Sequence, residues 1–227
     1  MKSGRRDRSL RLTTVLALVL VVTALGCASG GSKKAGSRSD AQRHLRYGRL
    51  LFEQGRTAEA IESIEKAIDT DPGLAESYSL LGVIYLQRSE FEMAKEQFKM
   101  ALRIDPYYTD AHNHLGVALR ELGQFDKALE EFQAALADRG YREPEKIHLN
   151  VGHLYLERKQ VQRAIDSFEQ AVALNPNYLR AILSLGMAFS QAGQDSRARD
   201  NFLKVVEMGP DTVEGRRAQQ LLDGTVQ

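Results

Sequence analysis

From Ala41 onward the apolar residues recur with the 3.6-residue period of helices that bury one face, not with the alternation of strands. Residues 75–108, AESYSLLGVIYLQRSEFEMAKEQFKMALRIDPYY, set the pattern. Leu81, Gly82 and Tyr85 share one face of a first predicted helix. Ala94, Phe98 and Ala101 follow at i, i+4 and i+7 on a second. Pro106 closes the unit, because proline lacks an N–H and disfavours helix in the residue before it. The pattern starts again at 41, 109, 145 and 179, which divides the chain into units 41–74, 75–108, 109–144, 145–178 and 179–212.

The repeated positions make physical demands. Gly48, Gly82, Gly116, Gly152 and Gly186 return at one place in the first helix, although glycine costs about 1 kcal/mol there relative to alanine. Close approach of the paired helix explains them, with Ala60, Ala94, Ala128, Ala164 and Ala198 expected to supply the matching small surface. Ile64, Phe98, Phe132, Phe168 and Phe202 fill the next layer. Gly55, Gly123 and Gly193 mark left-handed turns between paired helices, where Ser89 and Lys159 stand in the other two units. All five prolines lie at unit boundaries. Between the third and fourth units the glycine spacing grows from 34 to 36 residues, Gly140 stands where proline is expected, and Pro144 follows four residues later. Two readings are open: a tolerated surface insertion, or a change of pitch that divides the domain into three units plus two.

This unit resembles the tetratricopeptide repeat. The resemblance implies an all-α fold, a right-handed superhelical solenoid of helix-turn-helix repeats. Each repeat buries its face only against its neighbours, so such a stack needs an end cap. Residues 213–227 provide one: Asp211 or Thr212 caps a short helix, Val213–Asp223, with Ala218, Leu221 and Leu222 inward, and the last residues fray.

Composition changes the picture only at the N-terminus. With 43% apolar and 27% charged residues the chain is that of an ordinary globular protein. Lys2, Arg5, Arg6, Arg8 and Arg11, against Asp7 alone, precede an apolar run at 12–25 that is short for a bilayer span of about 20 residues. Residues 1–26 therefore read as a secretory signal. Without them 31 basic and 30 acidic residues fall to 26 and 29, a net of −3, which gives no electrostatic reason to bind nucleic acid. Ala24-Leu25-Gly26-Cys27 resembles a bacterial lipobox, although leucine at Ala24 is the usual pattern. The resemblance implies cleavage before Cys27, the only cysteine, diacylation of its thiol and acylation (palmitate) of its new amino group. Three chains hold a membrane stably where one does not. Ala28 in place of aspartate implies, by the sorting rule of enteric bacteria, the periplasmic face of the outer membrane. Residues 28–40, ASGGSKKAGSRSD, are expected to continue from the lipidated cysteine as a flexible tether about 20 Å in span.

No catalytic pattern is present: the sequence has no phosphate loop, paired-cysteine metal site, HExxH or GxSxG. His44, His112 and His148 share one repeat position and are expected to pack between helices. His114 and His153 could approach each other, but no carboxylate is spaced to complete a metal site. Neither an enzyme nor a cofactor or metal is expected. In the repeat family the first helices line a concave groove that binds protein segments. The positions that correspond here are Leu45, Arg49, Phe52, Val83, Leu86, Asn113, Val117, Arg120, Leu149, His153, Leu156, Leu183 and Met187, with Ser79, Lys146 and Arg180 as further polar members. Roughly half are expected to face the groove and the rest to pack between repeats. A surface so apolar suits a hydrophobic or amphipathic partner segment. A carboxylate clamp does not fit, because Leu45, Arg49, Leu80, Asp110 and His114 occupy its positions.

Lipobox, tether and repeats together resemble the type IV pilus pilotin lipoproteins. The irregular junction Tyr141-Arg142-Glu143-Pro144-Glu145 and the following Asn150-Val151-Gly152 add to the likeness. That resemblance implies a partner, the secretin subunit, held in the groove and carried to the outer membrane for assembly. The alternative is a general envelope scaffold that recruits cell-wall enzymes or outer-membrane or exopolysaccharide assembly factors.

Overall fold

The computed structural model describes residues 30–224; the signal segment, Cys27 and the last three residues lie outside the described residues. Eleven α-helices and no strand occur among the described residues. The chain separates between Leu74 and Ala75 into two compact units. The boundary therefore does not fall at the lengthened junction, and a division into three repeats plus two is not what the fold shows.

The first unit pairs α1 (Gly30–Glu53) with α2 (Thr57–Thr70). Ala60, Ile64 and Ala67 of α2 are fully buried, and the Ser63 hydroxyl donates to the His44 carbonyl at 2.9 Å. α1 begins at Gly30, inside the stretch expected to be a tether, so residues 30–40 are helical and the tether expectation is corrected there. Ser37 also donates to the Thr70 carbonyl at 2.6 Å, a contact that ties the extension to α2.

The second unit contains α3 (Ala75–Gln87), α4 (Phe91–Ile104), α5 (Thr109–Glu121), α6 (Phe125–Leu136), α7 (Pro144–Glu157), α8 (Val161–Leu174), α9 (Leu179–Gln191), α10 (Asp195–Met208) and the cap α11 (Val213–Gly224). Each even-numbered helix from α4 to α10 buries one stripe, such as Ala94, Phe98 and Ala101 on α4 or Ala128, Phe132 and Ala135 on α6. The turns close as expected. Ser89 and Lys159 adopt φ of 60° and 58°, and the Glu90 N–H reaches back to the Tyr85 carbonyl at 2.9 Å, which is the helix-ending left-handed motif. Thr212, rather than Asp211, caps α11: its hydroxyl oxygen accepts from the Gly215 N–H at 2.9 Å.

The repeated glycines have a different partner from the one expected. A Cβ on Gly82 would lie 2.7 Å from the ring of Phe98, and one on Gly116 would lie 2.6 Å from that of Phe132. The same holds for Gly152 with Phe168, and for Gly186 with Phe202 at 2.6 Å. In the first unit Ile64 takes the ring's place against Gly48, at 2.7 Å. The glycines thus make room for the bulky residue of the stripe, while the alanines pack beside it.

The irregular junction also has a different register. Asp71, Asp105 and Asn175 each accept a backbone N–H from two residues ahead, at 3.0, 3.0 and 3.2 Å. Asp138 does the same for Gly140 at 2.9 Å. Arg139, not Gly140, therefore occupies the position that proline fills elsewhere. Asp138 follows Ala128 by 10 residues where Asp105 follows Ala94 by 11, and it precedes Gly152 by 14 where Asp105 precedes Gly116 by 11. The net gain of two is a one-residue deletion before the turn and three residues inserted after it. Pro144 does not end a unit; it sits in the first turn of α7, where a missing N–H costs nothing.

Replacing Gly116 by Ala is expected to cost about 1–3 kcal/mol by forcing the Phe132 ring aside. Adding Phe132→Leu should return part of that loss. Urea denaturation of both single variants and the double variant measures the coupling, and strict additivity would contradict the contact.

Candidate protein-binding face

In the second unit the odd-numbered helices pack on one another in succession, α3 on α5, α5 on α7 and α7 on α9, whereas the backbones of α4, α6, α8 and α10 stay apart, and only the Arg197–Glu169 ion pair at 2.8 Å bridges α8 and α10 among the described residues. Contact on one side and splaying on the other curve the stack, with the first helix of each repeat on the inside.

The expected groove residues divide on that face. Met187 is exposed, at 42%, and Val83, Leu86, Val117, Arg120, His153 and Leu156 are partly exposed. Asn113, Leu149 and Leu183 are buried, at 5%, 3% and 9%, so these three are corrected from surface to packing positions. Neighbouring first helices press against each other and cover them. In the first unit, described by itself, Arg49 is exposed, Phe52 is partly exposed and Leu45 is buried at 7%, which corrects Leu45 likewise. Of the further polar positions, Lys146 and Arg180 are exposed and Ser79 is buried.

A polar strip crosses the apolar surface. Arg120, with 13% of its side chain exposed, pairs with Glu121 and brings Nε to 3.3 Å from Glu157 Oε1, without the alignment of a hydrogen bond. Asn150 donates to Asn113 at 2.9 Å and links α7 to α5 beneath the surface. His153 sets its ring edge-on to Phe168, 5.2 Å between centroids, and places Nε2 3.5 Å from the Ser184 hydroxyl. Burial, and then the nearby Arg120 and Arg180 charges, push the His153 imidazole down to about 4. His153 is thus neutral near pH 7, an apolar wall with a hydrogen-bonding edge. His114 does not join it: His114 stacks on Phe98 at 5.5 Å, and burial lowers its affinity for protons as well. No group of three or more potential metal ligands occurs among the described residues.

Sequence reasoning missed Glu157, Ser184 and the Asn150–Asn113 pair, all of which are cross-repeat partners of residues it did select. It also missed how the junction is held. The Thr109 hydroxyl donates to Asp138 at 2.7 Å, and the Tyr141 hydroxyl donates to Asp110 at 2.6 Å. Recurrence of polar residues one repeat apart is the signal that could have found such pairs.

The geometry offers an apolar strip with one partly buried guanidinium. Two family profiles, both described as tetratricopeptide repeat, match residues 39–106 and 107–177, and 155–222. No curated protein sequence matches the chain. Among solved structures the fold is similar to that of PilF from Pseudomonas aeruginosa, at 22% identity and a TM-score of 0.69 over 82% of this chain and 90% of that one. It is also similar to PilW, described as a widely conserved type IV pilus biogenesis factor, at 22% identity and a TM-score of 0.68, covering 81% and 92%. YrrB, a repeat protein described as having an unusual peptide-binding site, matches at 22% identity and a TM-score of 0.57, covering 80% and 92%. Identities this low establish a shared fold and nothing finer.

The histidines predict opposite pH responses. Between pH ~6.5 and ~4 the unfolded chain protonates His153 and the folded one does not, so stability falls on acidification, by about 3 kcal/mol. His112 is raised, chiefly by its 2.6 Å bond to Glu131, so its contribution is complete below pH ~6.5 and fades as pH climbs through the raised value. Urea unfolding of His153→Phe near pH 7 and pH 4.5 should show a shallower acid loss than the unsubstituted chain. An unchanged slope would contradict the burial argument.

Proposed function

Because the chain belongs to the tetratricopeptide repeat family, whose members act as protein-binding scaffolds, we propose that it is a non-catalytic pilotin that binds secretin subunits and promotes their assembly in the outer membrane. The observation that carries this reading is the inner face of the second unit. There Val83, Leu86, Val117, Leu156 and Met187 stay open to solvent on four successive first helices, with Arg120 among them. An apolar strip of that kind is matched by an apolar or amphipathic segment of a partner, held by packing and oriented by one charged group.

The choice of secretin rests on the lipobox-like Ala24–Cys27, on the lengthened junction around Tyr141–Glu145, and on the fold shared with PilF and PilW. In this reading residues 1–26 direct export, acyl chains on Cys27 hold the protein on the periplasmic face of the outer membrane, and the groove carries a secretin segment there. The chain's own residues make and break no covalent bond. Anchor and groove act together by keeping an assembly-prone subunit at the membrane where its pore forms.

Loss of the protein should deplete heat-resistant secretin multimers from the outer membrane. Cys27→Ser should release the protein from that membrane, or leave it uncleaved, and lower multimer yield. Fractionation with immunoblotting for both proteins is the measurement. Unchanged multimers in the deletion would contradict the pilotin role, and a processed Cys27→Ser protein still in the outer membrane would contradict the anchor. Recovery of cell-wall hydrolases or synthases without secretin, in a crosslinked pull-down, would favour the general scaffold.

A further inference from the structure

The outer side of the second unit holds a second candidate surface, independent of the inner face. The second helices α4 and α6 do not meet, so a cleft of about 550 Å³ lies between them, floored by α5. Leu102, Leu115 and Leu119 form its apolar base. Its rim is cationic, with Lys95, Lys99, Arg103 and Lys127 against Glu130 and Glu131.

The balance of partners along that rim is uneven. Lys95 pairs with Glu92 and Lys99 with Glu96, two acids that lie outside the cleft. The Arg103 guanidinium meets the Met100 thioether at 3.2 Å, and Lys127 meets the Gln124 amide oxygen at 3.3 Å. Neither makes an ion pair with a carboxylate among the described residues. Glu131 is engaged by His112, whose ring nitrogens lie 2.6 Å from Glu131 and 3.0 Å from the Pro106 carbonyl. Both bonds form together only when both nitrogens carry protons. The cations that lack carboxylate partners, Arg103 on α4 and Lys127 on α6, therefore stand on opposite walls; Glu131 is occupied by His112, Glu130 makes no ion pair among the described residues, and leucines lie below.

We propose that this outer cleft docks an acidic amphipathic helix of a protein partner, with leucine-sized residues against Leu102 and carboxylates on Arg103 and Lys127. Charge complementarity selects the sign of the partner. Two helices that run past each other without packing contact leave the lateral room a third helix takes. The surface goes beyond the inner-face reading and stands or falls without it.

The test titrates the full chain, in mild detergent, into a fluorescein-labelled peptide of about 18 residues, five helical turns, with leucine on one face and glutamate on the other. A counterpart carries lysine in place of glutamate, and vesicles of phosphatidylglycerol are a second ligand. The acidic peptide should bind by anisotropy, the lysine peptide at least about tenfold more weakly, and the acidic affinity should fall as salt rises. Arg103→Glu with Lys127→Glu should weaken it about tenfold more, while Met187→Asp on the inner face leaves it unchanged. Should the double reversal alter the circular dichroism, Arg103→Gln with Lys127→Gln replaces it, with a smaller loss expected. Methyl NMR should place the perturbation at Leu102, Leu115 and Leu119. Equal binding of both peptides, insensitivity to the rim substitutions, or a perturbation confined to the inner face would overturn the proposal. So would binding of the vesicles, but not of the peptide, with the same dependence on Arg103 and Lys127, which would assign the cleft to an anionic lipid surface.

Discussion

In four successive repeats a phenylalanine ring occupies the space that a side chain on the facing glycine would need, and most of the architecture follows from that exchange. Each glycine costs its helix about 1 kcal/mol of propensity. The buried ring returns about 1.5–3 kcal/mol by leaving water, and Phe98, Phe132 and Phe168 are fully buried while Phe202 is 2% exposed. The pair also sets how closely two helices of a repeat approach. Alanines above and below the ring then bury completely, and the turn between the helices must be tight enough to need a left-handed residue. The same unit repeated four times yields first helices that pack together and second helices whose backbones stay apart. Curvature is thus a consequence of one side-chain contact.

That curvature separates two surfaces with different chemistry. On the inside, contact between neighbouring first helices buries Asn113, Leu149 and Leu183 and leaves a narrow apolar strip beside Arg120 and a neutral His153. On the outside, splayed second helices open a cleft whose cations outnumber its acids. The lengthened junction lies between these regimes. Packing of α6 on α7 is sparser than that of α4 on α5 or α8 on α9, and polar links reinforce it: Tyr141 to Asp110, Asp138 to Thr109, Arg158 to Asp126 and Asn150 to Asn113. Three inserted residues supply the reach that lets Tyr141 bond back to the start of α5.

How much of this was legible beforehand depended on whether the property repeats. Gly82, Phe98 and Pro106 recur at fixed spacing, so the periodicity exposed the helices, their stripes and the turns at Ser89 and Lys159. Counting positions failed where the period broke. Measured from Ala128 the proline position falls on Gly140, whereas the hydrogen bond made by Asp138 places it on Arg139. The glycine's true neighbour was hidden for another reason, since alanine and phenylalanine recur together and spacing alone does not say which one fills the gap. Burial within the groove list was equally hidden. Leu149 and Leu156 look alike in sequence, yet only the first lies under a neighbouring helix. The helix from Gly30 was missed because small polar residues permit it without demanding it, and the Ser37–Thr70 bond is invisible until the fold is known.

The proposed pilotin role requires the inner face of the second unit to hold a secretin subunit. Site-specific photocrosslinking in cells tests it most directly, with the reactive residue at Leu86 or Leu156 on the inner face and, as a control, at Leu203, an exposed position on α10. Secretin adducts are expected from Leu86 and Leu156 and none from Leu203. Absence of secretin adducts from both inner positions, with the proteins present at normal levels, or equal adducts from Leu203, would contradict it.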